Sequence, residues 1–222
     1  MTHCCPQPHP IRYRGLVSGS PRLPLDSGTV ELLPRDGSAL LVPGFLAPDD
    51  ADDLLDRCGA SIPWESTSLV MFGREVAEPR LSAWIADIGV VYGYSGRDRR
   101  VHPWSPDLDR VRRLCEARTG SSFNGVLANL YRDGRDHMGW HADDESCLGV
   151  DPVIASVSLG AERRFDLRHR QTGETVSCLL PHGSLLVMSG RSQIAWKHRL
   201  PRSARLDNAR LNLTFRLIRS PR

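Results

Sequence analysis

Residues 210–216 read Arg-Leu-Asn-Leu-Thr-Phe-Arg, and polar side chains fall on every second position of this segment. Leu211 and Phe215 belong to the other set, so the alternation predicts a β-strand with one apolar and one strongly polar side. An edge strand that faces water would show the same pattern. In the alternative, the polar side lines a pocket with Arg210 and Arg216 at its two ends, where two guanidinium groups could bind a small dicarboxylate.

Residues 127–131 offer further polar groups to the same ligand. They read Leu-Ala-Asn-Leu-Tyr, which places Asn129 and Tyr131 two positions apart and therefore on one side of a predicted strand. An amide and a phenol can both hydrogen-bond to carboxylate oxygens. The two segments together are consistent with a pocket for an organic acid.

The sequence also contains a candidate metal site. His141 and Asp143 point to the same side of an extended backbone, and His198, 57 positions after His141, can supply a third ligand. Two histidines and one carboxylate suit non-haem Fe(II) oxygen chemistry, because they leave coordination positions open for a cosubstrate and O₂. The alternative is that the His-x-Asp tripeptide arose by chance and that each histidine is a hydrogen-bonded structural residue.

Short β-like runs separated by turn residues dominate the sequence after Phe123. These runs lie at 125–132, 153–160, 163–169, 174–180, 184–189, 194–198 and 210–218. Such spacing is typical of an antiparallel sandwich or barrel. The predicted fold class is therefore mainly β with flanking helices.

The segment before Phe123 is expected to be mixed. Two short strands are predicted around a turn at Asp36-Gly37, at 30–33 and 39–42, and two helices at about 48–58 and 106–118. Residues 1–24 are rich in proline and show no hydrophobic period, which predicts a flexible tail. We expect a helical N-terminal extension with a nucleotide-recognition lid at 25–122 and a β core at 123–222, which together form one catalytic domain from about residue 25.

The composition limits the classes of protein that the chain can represent. It has 222 residues, of which 40% are hydrophobic and 25% are charged, and its formal net charge is +3. No apolar run is long enough for a membrane helix, so we expect a soluble chain with no membrane partner. The small basic excess permits a polyanionic partner without requiring one. The six cysteines form no CxxC pair, which argues against a disulfide framework or a cysteine-based zinc site.

Six segments together resemble AlkB-type dioxygenases, which are Fe(II)- and 2-oxoglutarate-dependent nucleic-acid dealkylases. In the order and spacing of that family, the sequence contains Asn-Leu-Tyr at 129–131, His-Ala-Asp-Asp-Glu at 141–145, Ser-Val-Ser-Leu-Gly at 156–160, His-Gly-Ser-Leu-Leu at 182–186, Trp-Lys-His at 196–198 and the segment 210–216. The resemblance covers about residues 70–218. It implies a double-stranded β-helix, or jelly-roll, core.

The resemblance also implies the site residues and their ligands. Fe(II) would be held by His141, Asp143 and His198, the catalytic centre, where O₂ also reacts. The cosubstrate 2-oxoglutarate would be bound by Asn129, Tyr131, Arg210, Asn212, Thr214 and Arg216. Substrate-binding residues would be Phe72, Gly73, Arg74, Tyr92, Gly93, Tyr94, Asp144 and Glu145.

Several of the substrate residues have a physical rationale. Phe72 is the candidate wedge that fills the space left when a base leaves the helical stack. Tyr94 could stack on the displaced base. Asp144 and Glu145 would favour the positive charge of 1-methyladenine or 3-methylcytosine. The alternatives are a core phenylalanine, tyrosines that only pack, and carboxylates that are simply exposed.

The function implied is oxidative dealkylation repair of N-alkylated bases in single- or double-stranded DNA, with release of an aldehyde, succinate and CO₂. Three alternatives stay open: an RNA or tRNA demethylase, a non-catalytic nucleic-acid binder of the same fold, and a small-molecule hydroxylase. We expect a monomer, cytoplasmic if the source is bacterial and nuclear if it is eukaryotic.

Overall fold

The computed structural model describes residues 28–71, 74–90, 93–94, 97–98 and 100–219. Within this part of the chain, three α-helices accompany β-strands that form two larger sheets and two small hairpins. The helices are α1 (Pro48–Ser61), α2 (Pro106–Thr119) and α3 (Ser192–Ala195). The mainly β class predicted from the sequence is confirmed. No described helix has both the length and the apolar character that crossing a membrane would require.

Strands from the first part of the chain are short. In chain order they are β1 (Val30–Glu31), β2 (Ser38–Val42), β3 (Ser68–Met71), β4 (Arg74–Ala77), β5 (Leu81–Ala86), β6 (Gly93–Tyr94), β7 (Arg97–Asp98) and β8 (Val101–His102). The strands that follow α2 are longer. They are β9 (Gly125–Tyr131), β10 (Met138–His141), β11 (Ile154–Gly160), β12 (Arg163–His169), β13 (Thr175–Leu180), β14 (Ser184–Ser189), β15 (Trp196–Leu200) and β16 (Arg210–Arg216).

The strands form a major sheet and a minor sheet. The major sheet has the order β1-β2-β14-β11-β16-β9-β5-β8, and the minor sheet has the order β10-β15-β12-β13. Strands β3 and β4 form one hairpin, and β6 and β7 form another. Because the major sheet contains β1, β2, β5 and β8 as well as later strands, the segments 25–122 and 123–222 share one sheet.

Two hydrophobic cores hold these layers together. Helices α1 and α2 pack on the outer face of the major sheet through residues such as Leu54, Val111 and Phe215. The second core lies between the two sheets and includes Leu127 of the major sheet and Leu167 of the minor sheet. Two facing sheets, antiparallel except for the pairing of β5 with β8, with helices on one side are the jelly-roll arrangement that the family resemblance implies.

Strand β16 occupies a central position, which excludes the edge-strand interpretation of its alternating pattern. It pairs with β11 on one side and β9 on the other, and all seven of its residues are buried. Leu211, Leu213 and Phe215 face the helices in the first core. The polar residues of the strand therefore face the space between the sheets, where a pocket was predicted.

Several elements have no counterpart among the predicted runs, including β5 and α3. Strand β5 lies between β9 and β8, and its apolar run Leu81–Ala86 is buried on both faces. The run predicted at 194–198 begins later, because residues Ser192–Ala195 form the short helix α3 before β15 starts at Trp196. His198 is consequently in the middle of its strand, not at the end.

Candidate active site

A cavity between the two sheets contains most of the residues singled out by sequence. About 610 Å³ of space, continuous with solvent, lies between β9, β11 and β16 of the major sheet and the strands β10 and β15 of the minor sheet. Its polar lining consists of Arg80, Asn129, Tyr131, His141, Asp143, Ser156, His198, Arg210, Asn212, Thr214 and Arg216. All three predicted metal ligands and all six predicted 2-oxoglutarate residues are in this set.

The three predicted metal ligands converge at one point. His141 and His198 are cross-strand partners in β10 and β15, and their ring centroids are 4.2 Å apart. Asp143 follows two residues after His141, and one ligand atom from each of the three side chains lies within 4.8 Å of the others. Nδ1 of His141 lies 2.9 Å from the carbonyl oxygen of Gly139, so a hydrogen bond there leaves Nε2 free for a metal.

The electrostatics of this cluster favour metal binding. Burial lowers the pKa of His198 to about 3 and also lowers the pKa of His141, so both imidazoles are neutral at neutral pH. Burial alone would raise the pKa of Asp143, but Arg216 and the two histidines outweigh it and lower that pKa to about 2. Two neutral imidazoles and one carboxylate, with space on the cavity side, fit Fe(II).

Arg210 provides a buried positive charge on the same strand as Arg216. Its Nη2 donates to Ser158 Oγ at 2.9 Å, and its Cζ lies 5.4 Å from the centroid of the Tyr131 ring. Among the described residues no carboxylate pairs with Arg210, and its Nε has no hydrogen-bond partner. Burial lowers the pKa of this guanidinium to about 10, which still leaves it charged at neutral pH. A buried cation of this kind fits the carboxylate of an organic acid.

The remaining polar groups form a ladder between the two arginines. Thr214 Oγ1 donates to Asn212 Oδ1 at 3.0 Å, and Asn212 Nδ2 donates to Ser156 Oγ at 2.8 Å. Asn129, on the neighbouring strand β9, pairs directly with Asn212 in the register of the sheet. These side chains present hydroxyl and amide groups along one wall of the cavity.

The structure describes only some of the predicted substrate-binding residues. Phe72, Gly73 and Tyr92 lie outside the described residues, whereas the backbones of Arg74, Gly93 and Tyr94 form parts of β4 and β6. Asp144 is exposed, and its Oδ2 accepts a hydrogen bond from Arg170 Nη2 at 2.7 Å. Glu145 is half-buried beside it. Neither carboxylate belongs to the described lining of the cavity.

Two buried residues at the site were missed by the sequence analysis. Arg80 donates from Nε to Asn129 Oδ1 at 2.9 Å and from Nη2 to Glu78 Oε1 at 2.9 Å. Gln193, in α3, accepts a hydrogen bond from the backbone N–H of Asp143 at 2.9 Å and so orients a metal ligand. A single arginine or glutamine carries no periodic pattern, and only the tertiary contacts identify these two.

Comparison with known proteins agrees with this geometry. The sequence matches the family model of the 2OG-Fe(II) oxygenase superfamily over residues 38–216. The solved structure of OsALKBH1 superposes with a TM-score of 0.59 and 20% sequence identity, and the match covers 80% of this chain and 97% of that chain. At that identity the structural similarity concerns the fold.

The sequence is also similar to curated relatives. It is 36% identical over 187 residues to human alpha-ketoglutarate-dependent dioxygenase alkB homolog 3, covering 80% of this chain and 65% of that protein. It is 46% identical over 157 residues to DNA oxidative demethylase ALKBH2 of Mus musculus, covering 67% of this chain and 65% of that protein. The human protein of the same name is 38% identical over 180 residues, covering 76% of this chain and 69% of that protein.

The chain thus spans about 65% of the length of the first two of these relatives. The family match nevertheless extends from β2 to the end of β16 and includes every strand that lines the cavity. The chain therefore belongs to the 2OG-Fe(II) oxygenase superfamily, as an AlkB-type member.

Proposed function

We propose that this protein repairs N-alkylated bases in DNA by oxidative dealkylation, with 1-methyladenine and 3-methylcytosine as substrates. The observation that carries the proposal is the buried His141, Asp143 and His198 cluster on the same cavity as Arg210, a buried cation without a carboxylate partner among the described residues. A metal triad beside a dicarboxylate site is what an Fe(II)- and 2-oxoglutarate-dependent oxygenase requires. Two of the relatives are named DNA oxidative demethylases.

In this proposal each residue of the site has a defined task. Fe(II), when bound with 2-oxoglutarate and O₂, supplies the oxidising power that hydroxylates the N-alkyl carbon, so that the alkyl group leaves as an aldehyde and the cosubstrate as succinate and CO₂. His141, Asp143 and His198 hold the metal. Arg216 donates to Asp143 Oδ2 at 2.9 Å, which fixes the carboxylate and keeps it ionised.

The cosubstrate would lie along the polar wall of β16 and β9. Arg210 would bind its distal carboxylate, with the Tyr131 phenol beside it, while Asn129, Asn212 and Thr214 line the path to the metal. The two sheets shield this wall from most of the surrounding solvent, because all seven residues of β16 are buried. Orientation and exclusion of water are therefore the contributions of the protein.

The base to be repaired would have to leave the helical stack to reach a metal between two sheets. Asp144 and Glu145 follow the ligand Asp143 directly and would favour a cationic lesion over an unmodified base. Phe72, Gly73, Arg74, Tyr92, Gly93 and Tyr94 are proposed to contact the substrate from the lid. We also propose that the protein acts as a monomer, and that alkylated RNA is a further substrate to be tested.

The test is repair of 3-methylcytosine in matched oligonucleotides of single-stranded DNA, duplex DNA and RNA. With Fe(II), 2-oxoglutarate and O₂, the protein should restore cytosine in DNA, and His141→Ala should abolish repair because the metal loses one ligand. His137→Ala is the matched control, since this histidine is not part of the cluster.

Activity on RNA alone would show that the protein is an RNA demethylase. Turnover of 2-oxoglutarate without repair of any methylated oligonucleotide would contradict the substrate assignment, and binding without succinate formation would indicate a non-catalytic binder.

A further inference from the structure

The outer face of the minor sheet is strongly basic. Six residues that point away from the cavity define this face, namely Trp140, Arg164, Asp166, Arg168, Lys197 and Arg199. The alternation along each strand is clear, because Phe165, Leu167 and His198 are buried inward while Arg164, Arg168 and Lys197 are exposed.

The arginines of this outer face are held in place. The buried Asp166 carboxylate accepts from Arg164 Nε at 2.7 Å and from Arg199 Nε at 2.8 Å, and Ser177 adds a third hydrogen bond. The Cζ atoms of Arg168 and Arg199 each lie 4.5 Å from the centroid of the Trp140 ring. Cation–π contacts and a shared carboxylate orient guanidinium groups that would otherwise move freely in solvent.

This outer face carries an excess of positive charge. It holds four cations and one carboxylate, a formal excess of three that equals the net charge of +3 of the whole chain. In the described part of the chain, Arg168 and Lys197 form no ion pair. Basic residues on the helices behave differently, because Arg110 pairs with Asp50 and Arg113 with Asp109.

The outer face shares strands β10 and β15 with the candidate active site, on the opposite side of the minor sheet. Trp140 precedes the ligand His141, and Lys197 and Arg199 flank the ligand His198 on β15. Arg168 is two residues from Arg170, whose Nη2 donates to Asp144 beside the metal site. Because β10 is the edge strand of the minor sheet, a nucleic acid whose base enters the cavity would have to pass around this edge to reach the outer face.

We propose that the outer face of the minor sheet binds the phosphodiester backbone of the substrate nucleic acid outside the cavity. The inference rests on the proposed function, since it extends the contact of that same substrate. Guanidinium groups bind phosphate oxygens in a planar, bidentate fashion, and Lys197 adds a point charge. The guanidinium groups of Arg168 and Arg199 cover the Trp140 ring. In this proposal the ring orients these phosphate-binding groups and does not stack on a base.

The test measures binding of an unmodified, fluorescently labelled single-stranded DNA by anisotropy across a series of salt concentrations. Each lost phosphate contact to a single strand lowers the magnitude of the slope of log K against log[salt] by about 0.7. The double variant Arg168→Gln with Lys197→Gln should therefore lower that magnitude by about 1.4. Arg110→Gln with Arg113→Gln removes the same charge from α2, across the major sheet, and should leave the slope at the wild-type value.

A conservative variant separates charge from misfolding. Arg168→Lys with Lys197→Arg keeps both cations and should retain the wild-type slope. If the glutamine variant keeps the wild-type slope, or if the α2 control loses as much, the proposal is wrong. Repair of 3-methylcytosine is measured separately. If the wild type repairs the base but the glutamine variant keeps the wild-type slope, only the proposed binding surface is wrong. If the glutamine variant shows the expected slope change but the wild type does not repair the base, only the proposed function is wrong.

Discussion

At the scale of single residues, Arg210 and Arg216 are not equivalent, although the sequence places them symmetrically at the two ends of one strand. Arg216 donates a hydrogen bond to Asp143, so the carboxylate at the candidate metal site already compensates its positive charge in part. Arg210 has a hydroxyl and an aromatic ring as neighbours and no described carboxylate. A buried charge is costly unless it is paired, so Arg210 is the residue whose environment most needs an anionic ligand.

Arg210→Lys tests this difference. Lysine keeps the charge but loses the planar fork, so we expect the KM for 2-oxoglutarate to rise about ten- to a hundredfold, which corresponds to about 1.5–3 kcal/mol for a charged hydrogen bond. The measurement is succinate formation as a function of 2-oxoglutarate concentration. Arg113→Lys, an exposed arginine on α2, is the control. An unchanged KM in Arg210→Lys would show that the cosubstrate binds elsewhere.

At the scale of elements, the strands that carry the site were largely predictable. The alternation in β16 and the polar pair in β9 predicted the correct strands. A period of two in the sequence can be recognised without knowing which strands pair with each other. The pairing of β10 with β15 was not predictable from periodicity. His141 and His198 become cross-strand partners only through a long-range register; they were predicted to share a metal from their residue types and from the family resemblance, not from any pairing of strands.

Other elements were harder to predict from their own residues. Strand β5 is buried on both faces, so its run of apolar residues lacks the alternation that identifies a half-exposed strand. Helix α3 has only one turn, yet it supplies Gln193 to the backbone of Asp143. Short elements of this kind are fixed by tertiary contacts and carry little information in their own residues.

Strand β12 allows a prediction about acid stability. Burial alone would raise the pKa of Asp166, but hydrogen bonds from Ser177, Arg164 and Arg199 outweigh it and lower that pKa. A carboxyl group whose pKa is lower in the folded state stabilises the fold above its unfolded pKa of about 3.9, and this contribution is lost as the pH falls through the folded value. Asp166→Asn should therefore reduce the free energy of unfolding at pH 7 by about 2 kcal/mol.

The pH dependence distinguishes this effect from a general loss of packing. The difference between wild type and Asp166→Asn, measured by urea denaturation, should narrow as the pH falls below about 4, because the Asp166 carboxylate is protonated in the unfolded state before it is protonated in the folded state. Asp53→Asn alters an exposed ion pair with Arg57 and should change stability little at any pH. A constant difference between wild type and Asp166→Asn from pH 7 to pH 3 would contradict the prediction.

At the scale of the whole molecule, the active site lies where apolar packing is interrupted. The core between the helices and the major sheet is apolar, whereas the space between the sheets also contains buried histidines, arginines and Asp143. These groups lower stability when they lack ligands, because buried polar groups without partners are unfavourable. Bound metal and cosubstrate should therefore stabilise the entire two-sheet structure.

Thermal unfolding with Mn(II), which lacks the redox chemistry of Fe(II) in this assay, tests that expectation. A ligand at about 100 times its Kd stabilises the folded state by about 2.7 kcal/mol, which raises the Tm of a chain of this size by about 5 to 10 °C. Wild type should show this rise with Mn(II), a further rise when 2-oxoglutarate is added, and loss of both after a chelator. His141→Ala should lose the shift caused by the metal, whereas Arg210→Lys should keep it and lose most of the increment from 2-oxoglutarate. Equal shifts in wild type and His141→Ala would place the metal outside the cluster of His141, Asp143 and His198, because binding at another site would not depend on that imidazole.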